Sequence, residues 1–380
     1  MKILIIGSRL LDDIAWYTKE NNVTTILSES NIKAENIELA DKHYIVERGM
    51  EQPKNIAIKE DVDAVIPLIG IDPPLPSIGQ LKDELEEDYN IPVIASGYET
   101  ALLAANKYNT KKFLEENGFN TPHYEKLQKP YNIENILTEL PVVLKSPEGQ
   151  AGRGVKIALS KEDVKEFLDE KNEDLFLENF VDGFELSIEV LRWNNQTIAL
   201  APIYKGNTTL EGTHPLQKIK QAPFDMGKNK EYYRKLATKI ADIVNSEGTM
   251  DIDILYDKHS DKEYLIELNT RPSGTRYMTA ATTGINPLTE LVNMAIGTFN
   301  TKSLEKNMKE YFAAEIPIGD FSKEKYNPGI KYYLNPDSYI IHGPEHYNRI
   351  TITAKTKQSL NKIVSETIPE YIKEHNITTL

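Results

Sequence analysis

YLIELNTRPSG, residues 264–274, starts as an apolar run fit for a buried strand, yet Glu267, Asn269 and Arg271 follow at every second position. Side chains at i, i+2 and i+4 of a strand share a face, so these three polar groups point one way while Ile266 and Leu268 anchor the other. Upstream, MDIDILYD (250–257) reads as a partner strand with Asp251 and Asp253 on one face. A hairpin whose turn centres near Ser260 sets Asp253 opposite Glu267 and Asp251 opposite Asn269. Like charges directly across a sheet destabilise it, and burying them uncompensated costs more still. A divalent cation resolves the conflict: carboxylate and amide oxygens are hard ligands suited to Mg²⁺, which also binds substrate phosphates. The blander alternative has these acids facing solvent, with Arg271 paired to one of them.

The chain has 380 residues, more than one compact core requires and suited to two or three domains. Its 58 acidic residues against 44 basic ones give a net charge of −14. That balance argues against general affinity for nucleic acid or anionic membrane, because phosphate backbones reward clustered Lys and Arg. Cysteine is absent, which removes disulfides, Cys-ligated zinc, iron–sulfur clusters and thiol nucleophiles. With seven histidines and no HExxH, a zinc enzyme is disfavoured. The N-terminal MKILIIGSRLL lacks the long apolar region and cleavage site of a signal peptide. No apolar run reaches 18 residues, so the expected location is cytoplasmic.

Residues 2–7 (KILIIG), 23–28, 43–47, 63–70 and 91–96 read as strands separated by helical stretches such as IGQLKDELEEDY (78–89). Strands alternating with helices imply a doubly wound parallel α/β domain over about the first hundred residues. A GxGxxG dinucleotide fingerprint is excluded there, because IIGSRLL holds Gly7 alone. From about 120 the pattern changes to α+β. PVVLKSP (141–147), VKIALS (155–160) and LFLENF (175–180) are strands around one helix (161–171). ELSIEVLRW (185–193) and TIALAPIYK (197–205) pair across an Asn-Asn turn, and helices are expected over 229–246 and 286–297. The tail from 301 is polar, then gives a strand (349–355) and a last helix.

Two further stretches carry chemistry. In KSPEGQAGRGV (145–155), Gly149, Gly152 and Gly154 free the backbone to aim N–H groups at an anion, and Lys145 and Arg153 add positive charge. It is not a Walker A loop, and a hairpin that merely needs glycine is the alternative. LFLENFVDGFELSIEV (175–190) holds Glu178 and Glu185 amid apolar residues, where acids commonly lie on the exposed face of a half-buried strand.

Taken together, these stretches resemble the ATP-grasp superfamily, in particular the branch of the carbamoyl-phosphate synthase large subunit and biotin carboxylase. The resemblance spans residues 1 to about 298. It implies an N-terminal α/β domain (1–105), a small lid subdomain (106–182), a large subdomain with a metal site (183–300) and a C-terminal extension (301–380). NKYNTKKFLEENGFNTP (106–122) puts Lys107 at the first nucleotide-contacting lysine, and PVVLKSPEGQAGRGV implies Lys145 on the phosphates beneath a covering 149–154 loop. LENFVDGFE is similar to the linker ExxxxGxE, which implies Glu178, Asn179 and Val181 at adenine and Glu185 at ribose. GTMDIDIL and YLIELNTR are similar to the metal strands, giving Asp253, Glu267 and Asn269 as ligands of Mg²⁺ (or Mn²⁺), Asp251 behind them, and Arg271 on phosphate or acyl phosphate. HPLQKIKQAPF (214–224) implies Lys218, with His214 as a weaker companion, near the reacting phosphate. Arg276 is a candidate for a substrate carboxylate, although its spacing departs from that of the carbamoyl-phosphate synthases.

The resemblance implies ATP and Mg²⁺ as cofactors and a ligase that activates a carboxylate as an acyl phosphate for attack by an amine. TGINPLTELV resembles stand-alone amino-acid ligases. Bicarbonate as the acid, or a non-catalytic ATP-binding regulator, are the rival readings. The expected partners are small molecules, with neither nucleic acid nor membrane; the tail is expected to meet substrate or a second subunit, which leaves a homodimer open.

Overall fold

The computed structural model describes residues 1–149, 154–171, 174–212, 217–321, 333–344 and 346–375. Short runs rich in Ile, Val and Leu make its first sheet: β1 (Lys2–Ile6), β2 (Thr24–Glu29), β3 (Lys42–Ile45) and β4 (Ala64–Pro67), parallel in the order β3-β2-β1-β4. Helices α1 (Ala15–Glu20), α2 (Glu51–Glu60) and α3 (Leu75–Tyr89) connect and cover it. The expected strand at 91–96 is instead a single parallel bridge between Val93 and Val65. Pro92 has no N–H for a ladder and contributes only its carbonyl, to Val65. Helices α4 (Tyr98–Ala105) and α5 (Lys107–Glu116) then lead to the next sheet.

That sheet is antiparallel, in the order β5-β8-β6-β7. It contains β5 (Tyr124–Leu127), β6 (Val142–Lys145), β7 (Val155–Ala158) and β8 (Leu175–Asn179), with α6 (Ile133–Leu137) and α7 (Lys161–Asp169) against it. Val142, Leu144, Leu177, Val164 and Phe167 form its own small core.

The third sheet has eight strands in the order β13-β12-β9-β10-β11-β14-β16-β15. Its centre is β9 (Gly183–Trp193), β10 (Gln196–Asn207), β11 (Lys220–Ala222), β12 (Gly248–Asp257) and β13 (Lys262–Asn269), with α8 (Lys230–Ile243) on one face. Asn194 and Asn195 both take positive φ (49° and 59°), so the Asn-Asn turn joins β9 to β10 as expected. Alternation divides β9. Phe184, Leu186, Ile188 and Val190 join Met250, Ile252 and Ile254 in the core under α8, which leaves Glu185, Ser187 and Glu189 on the opposite face.

Helices α9 (Arg276–Thr283), α10 (Pro287–Ala295) and α11 (Thr301–Asn307) follow. Leu288, Leu291 and Val292 of α10 share a core with Ile3, Ile5 and Ile66 of the first sheet, so the loops after β1 and β4 meet the start of α9. The tail holds more strand than its sequence suggests: β14 (Phe312–Gly319), β15 (Ser338–His342) and β16 (Asn348–Ala354) extend the eight-stranded sheet. Glu315 and Pro317 disguised β14. The last helix is split into α12 (Lys357–Thr367) and α13 (Pro369–Glu374), because Pro369 cannot continue a preceding turn.

Candidate functional site

The β12–β13 hairpin has the register read from its sequence: Asp253 pairs with Glu267 and Asp251 with Asn269. One detail differs. A bulge follows Asp253, so that Ile254 pairs with Leu265. The extra residue, Ile266, turns to line the cleft beside Leu255, and Leu265 joins Leu268 in the core in its place.

The opposed acids are not left to face each other. Lys205 Nζ, from β10, lies 2.6 Å from Asp253 Oδ1, and Lys107 Nζ, at the start of α5, lies 2.9 Å from Glu267 Oε1. Burial works to raise the Glu267 carboxyl, but the Lys107 ammonium holds it below its ordinary value. Asp253 is raised by burial and by Glu267, with Lys205 working the other way. Asp251, one step deeper, is pushed up to about 8, by burial first and by Asp253 next. Its Oδ1 accepts from Ser187 (2.9 Å) and Thr275 (3.3 Å). Beside it Glu189 is fully buried and accepts from Thr249 at 2.7 Å and Ser273 at 3.1 Å. A band of carboxylates backed by hydroxyls therefore runs under the segment that carries Arg271 and Arg276.

The donor set fits a hard divalent ion. Asp253 and Glu267 already attract a lysine each, and Asn269 adds an amide oxygen on the same strand. Among the described residues, no group of three Asp, Glu or His side chains forms a metal cage of its own. Two carboxylates and an amide suit an ion completed by water and phosphate oxygens.

Between the β5-β8-β6-β7 sheet and the eight-stranded sheet lies a cleft of about 490 Å³. Lys145, Glu178, Asn179, Val181, Glu185 and Lys218 line it. Apolar walls come from both sheets: Val143, Val155 and Ile157 above, Leu255 and Ile266 below. Glu178 is not free in it, since Lys145 binds one carboxylate oxygen and Lys111 Nζ lies 2.6 Å from the other. Lys218 Nζ donates to Glu185 Oε1 at 2.5 Å. Gly183 explains the glycine of the linker: a Cβ there would sit 1.8 Å from the Tyr256 carbonyl oxygen, where β9 crosses β12. Gly149 and Gly154 both take positive φ (130° and 72°), and the Gly149 carbonyl accepts from Lys107. Gly152, Arg153 and His214 lie outside the described residues.

The two arginines are held by the N-terminal sheet. Arg271 pairs with Asp72, from the loop after β4, and donates to Asn269 Oδ1 at 3.1 Å. Arg276 is drawn away from the cleft and onto Asp13, 3.0 Å away in the turn after β1. Tyr277 donates to the same aspartate at 2.7 Å. Reading the sequence missed Lys111, Lys205, Asp72 and Glu189. Lys111 had a local signal, since it stands four residues after Lys107 on one helix face. Lys205 lay in plain view as a lysine ending an apolar strand.

A model described as the ATP-grasp domain matches residues 104–275. Over 369 residues, 97% of this chain and 100% of the relative, the chain is 47% identical to a carbamoyl-phosphate synthase of Methanobrevibacter smithii. The chain belongs to the ATP-grasp family. As an ATP-grasp protein it is an ADP-forming, C–N bond-forming carboxylate–amine ligase. It is 23% identical to the 3-methyl-D-ornithine–L-lysine ligase of Methanosarcina acetivorans over 87% of its length and 88% of that protein. Its ATP-grasp fold overlays the biotin carboxylase domain of Hydrogenobacter thermophilus 2-oxoglutarate carboxylase, a dimer complexed with MgADP, ADP and bicarbonate. That overlay has a TM-score of 0.77 at 20% identity and covers 96% of this chain and 89% of that one. Among the described residues no helix is long and apolar enough to cross a membrane.

Proposed function

We propose that this ligase uses MgATP to phosphorylate the carboxylate of a small acid and joins the acyl group to the amine of an amino acid or peptide precursor. The supporting observation is the hairpin floor, where Asp253 and Glu267 oppose each other in register and each draws in a lysine. A carboxylate is a poor acyl donor because its leaving group is oxide. Moving the γ-phosphoryl group of ATP onto it gives an acyl phosphate and ADP. The amine nitrogen then attacks the carbonyl, the bond to phosphate breaks, and the nitrogen loses its proton.

Such a reaction calls for charge neutralisation and positioning more than for a protein nucleophile. Lys145 and Lys218 reach the phosphates from the cleft wall, and Arg271 exchanges Asp72 for the reacting phosphoryl or acyl phosphate. Val143, Val155, Ile157, Leu255 and Ile266 sandwich the base, and Glu185 takes the ribose hydroxyls. Asp253, Glu267 and Asn269 would hold Mg²⁺, which supplies electrostatic stabilisation of the transferring phosphoryl group. Dry walls protect the acyl phosphate from hydrolysis.

Bicarbonate as the acid is the second reading, favoured by the 47% identity to a protein named carbamoyl-phosphate synthase. One experiment tests both. Acid–amine pairs are screened for release of ADP and phosphate, with mass spectrometry of the product and a parallel arm containing bicarbonate alone. An amide product supports the ligase of organic acids. ATP turnover stimulated by bicarbonate without any amino acid replaces it with the second reading. Absence of ADP release across both arms sinks the two together.

A further inference from the structure

Helix α5 presents two lysines one turn apart, and they go to different strands. Lys107 reaches Glu267 on the floor. Lys111 reaches β8 of the four-stranded antiparallel sheet, where its Nζ lies 2.6 Å from Glu178 Oε2, and it donates to Thr121 Oγ1 at 2.7 Å. No part of the Lys111 side chain is exposed. Its ammonium lies 5.8 Å from the centre of the Tyr124 ring, and Tyr108 packs edge-on against both Tyr124 and Phe176. An ammonium sealed among aromatic rings is costly unless its charge is matched. Burial pulls Lys111 down to about 8, and Glu178 is what opposes that pull.

Glu178 is nearly as buried, at 2% exposure, and is shared between Lys111 and Lys145. Burial works to raise its carboxyl, and the two ammoniums hold it below its ordinary value instead. One carboxylate between two lysines leaves a surplus positive charge at the inner end of the cleft. The lysines are not equivalent. Lys145 lines the cleft and Lys111 does not, so Lys145 alone can turn toward a ligand.

We propose that Lys111 is the permanent counter-ion of Glu178, a positioning residue that releases Lys145 to the nucleotide phosphates and keeps Glu178 a pure hydrogen-bond acceptor for the base. An ionised carboxylate accepts from the exocyclic amino group of adenine and repels the carbonyl oxygen at the same place in a 6-oxopurine. Without Lys111, Glu178 either takes a proton and becomes a donor or retains Lys145. Both outcomes weaken adenine nucleotides and remove the discrimination, because a protonated Glu178, or a Lys145 ammonium kept on it, offers a donor to the 6-oxo oxygen. The inference rests on the nucleotide reading of the cleft given above.

Binding of MgADP and MgIDP to the full chain, measured by calorimetry without acid or amine, provides the test. Lys111→Met is expected to weaken MgADP about tenfold and to shrink the preference for ADP over IDP by a similar factor. Lys111→Arg should restore most of both. Where Lys111→Met does not fold, the double variant with Glu178→Gln removes the sealed ammonium together with its carboxylate, leaves Lys145 at the cleft wall, and is expected to bind the two nucleotides alike. A folded Lys111→Met, or the double variant, with an unchanged ADP-to-IDP ratio overturns the inference, even when both affinities fall together. Wild-type protein that binds neither nucleotide overturns the nucleotide reading itself, which separates the two failures.

Discussion

The eight-stranded sheet carries two buried groups of charges, one at each end, and they are built on opposite plans. Toward β15, Glu315 is completely buried and both of its oxygens are committed. Oε1 takes Lys220 at 2.6 Å and Arg349 at 3.2 Å, while Oε2 takes Thr351 at 3.1 Å with His342 at 3.4 Å. All of these partners lie on β11, β15 and β16, which share the sheet with β14, the strand of Glu315. At the β13 end, acids face acids across the hairpin, and the cations that answer them come from α5 and β10. Asp253 and Glu267 also keep part of their side chains exposed, at 13% and 27%. A closed group of matched charges holds strands together; an open group with a repulsion left in its floor is ready to take a ligand. The first should behave as scaffold and the second as site.

The largest effect that tests this contrast is Glu315→Ala. It strands Lys220 and Arg349 in the core, and breaking such a pair costs roughly 3–5 kcal/mol. Chemical denaturation should register that loss, while protein kept folded at low temperature should still bind MgADP. An unchanged midpoint would show that the group is not scaffold. Slightly smaller is the effect of Asp253→Asn or Glu267→Gln on the reaction. Removing one element of charge stabilisation lowers turnover by about 10²–10³-fold, read as ADP release with the productive acid–amine pair. Unfolding midpoints should move far less than for Glu315→Ala. Full turnover in either variant would remove the hairpin from the site.

This contrast was only half visible in the sequence. The hairpin was legible because a strand repeats every two residues and a short turn fixes which residues oppose. Five polar side chains in two short runs therefore declared both their face and their partners. The bulge after Asp253 was not legible, because the preference that moves Ile266 into the cleft and Leu265 into the core is a packing choice among apolar residues. Distant pairs were hidden for another reason. Asp72 and Arg271 are 199 residues apart and meet only because α10 docks the parallel sheet against the larger one. Glu315 gave the wrong impression: an acid and a proline within FAAEIPIG make the run look exposed, and its matching charges lie on strands far along the chain.

Titration separates the two groups by sign. His342 is pulled down to about 4 from an ordinary 6.5, by burial first, against the pull of Glu315. The unfolded chain therefore binds the extra proton, and the stability His342 confers is complete above about pH 6.5 and lost as pH falls through 4. His342→Gln should flatten the acid limb of a stability-versus-pH curve and leave the alkaline limb alone. An acid limb that stays as steep in the variant would assign the loss to other groups. Asp251 runs the other way. Its carboxyl is raised to about 8 from 3.8, so the folded state holds the proton more tightly, and the advantage present at low pH is lost as pH rises through 8. Asp251→Asn keeps the acceptor for Ser187 and Thr275 but cannot ionise. It should raise the thermal midpoint above pH 8, by a margin that shrinks as pH falls and vanishes only below about pH 3.8, and slow turnover modestly. A margin over wild type that is the same above pH 8 and near pH 4 would mean that Asp251 is held ionised, and that the hairpin carries its full charge before any cation arrives.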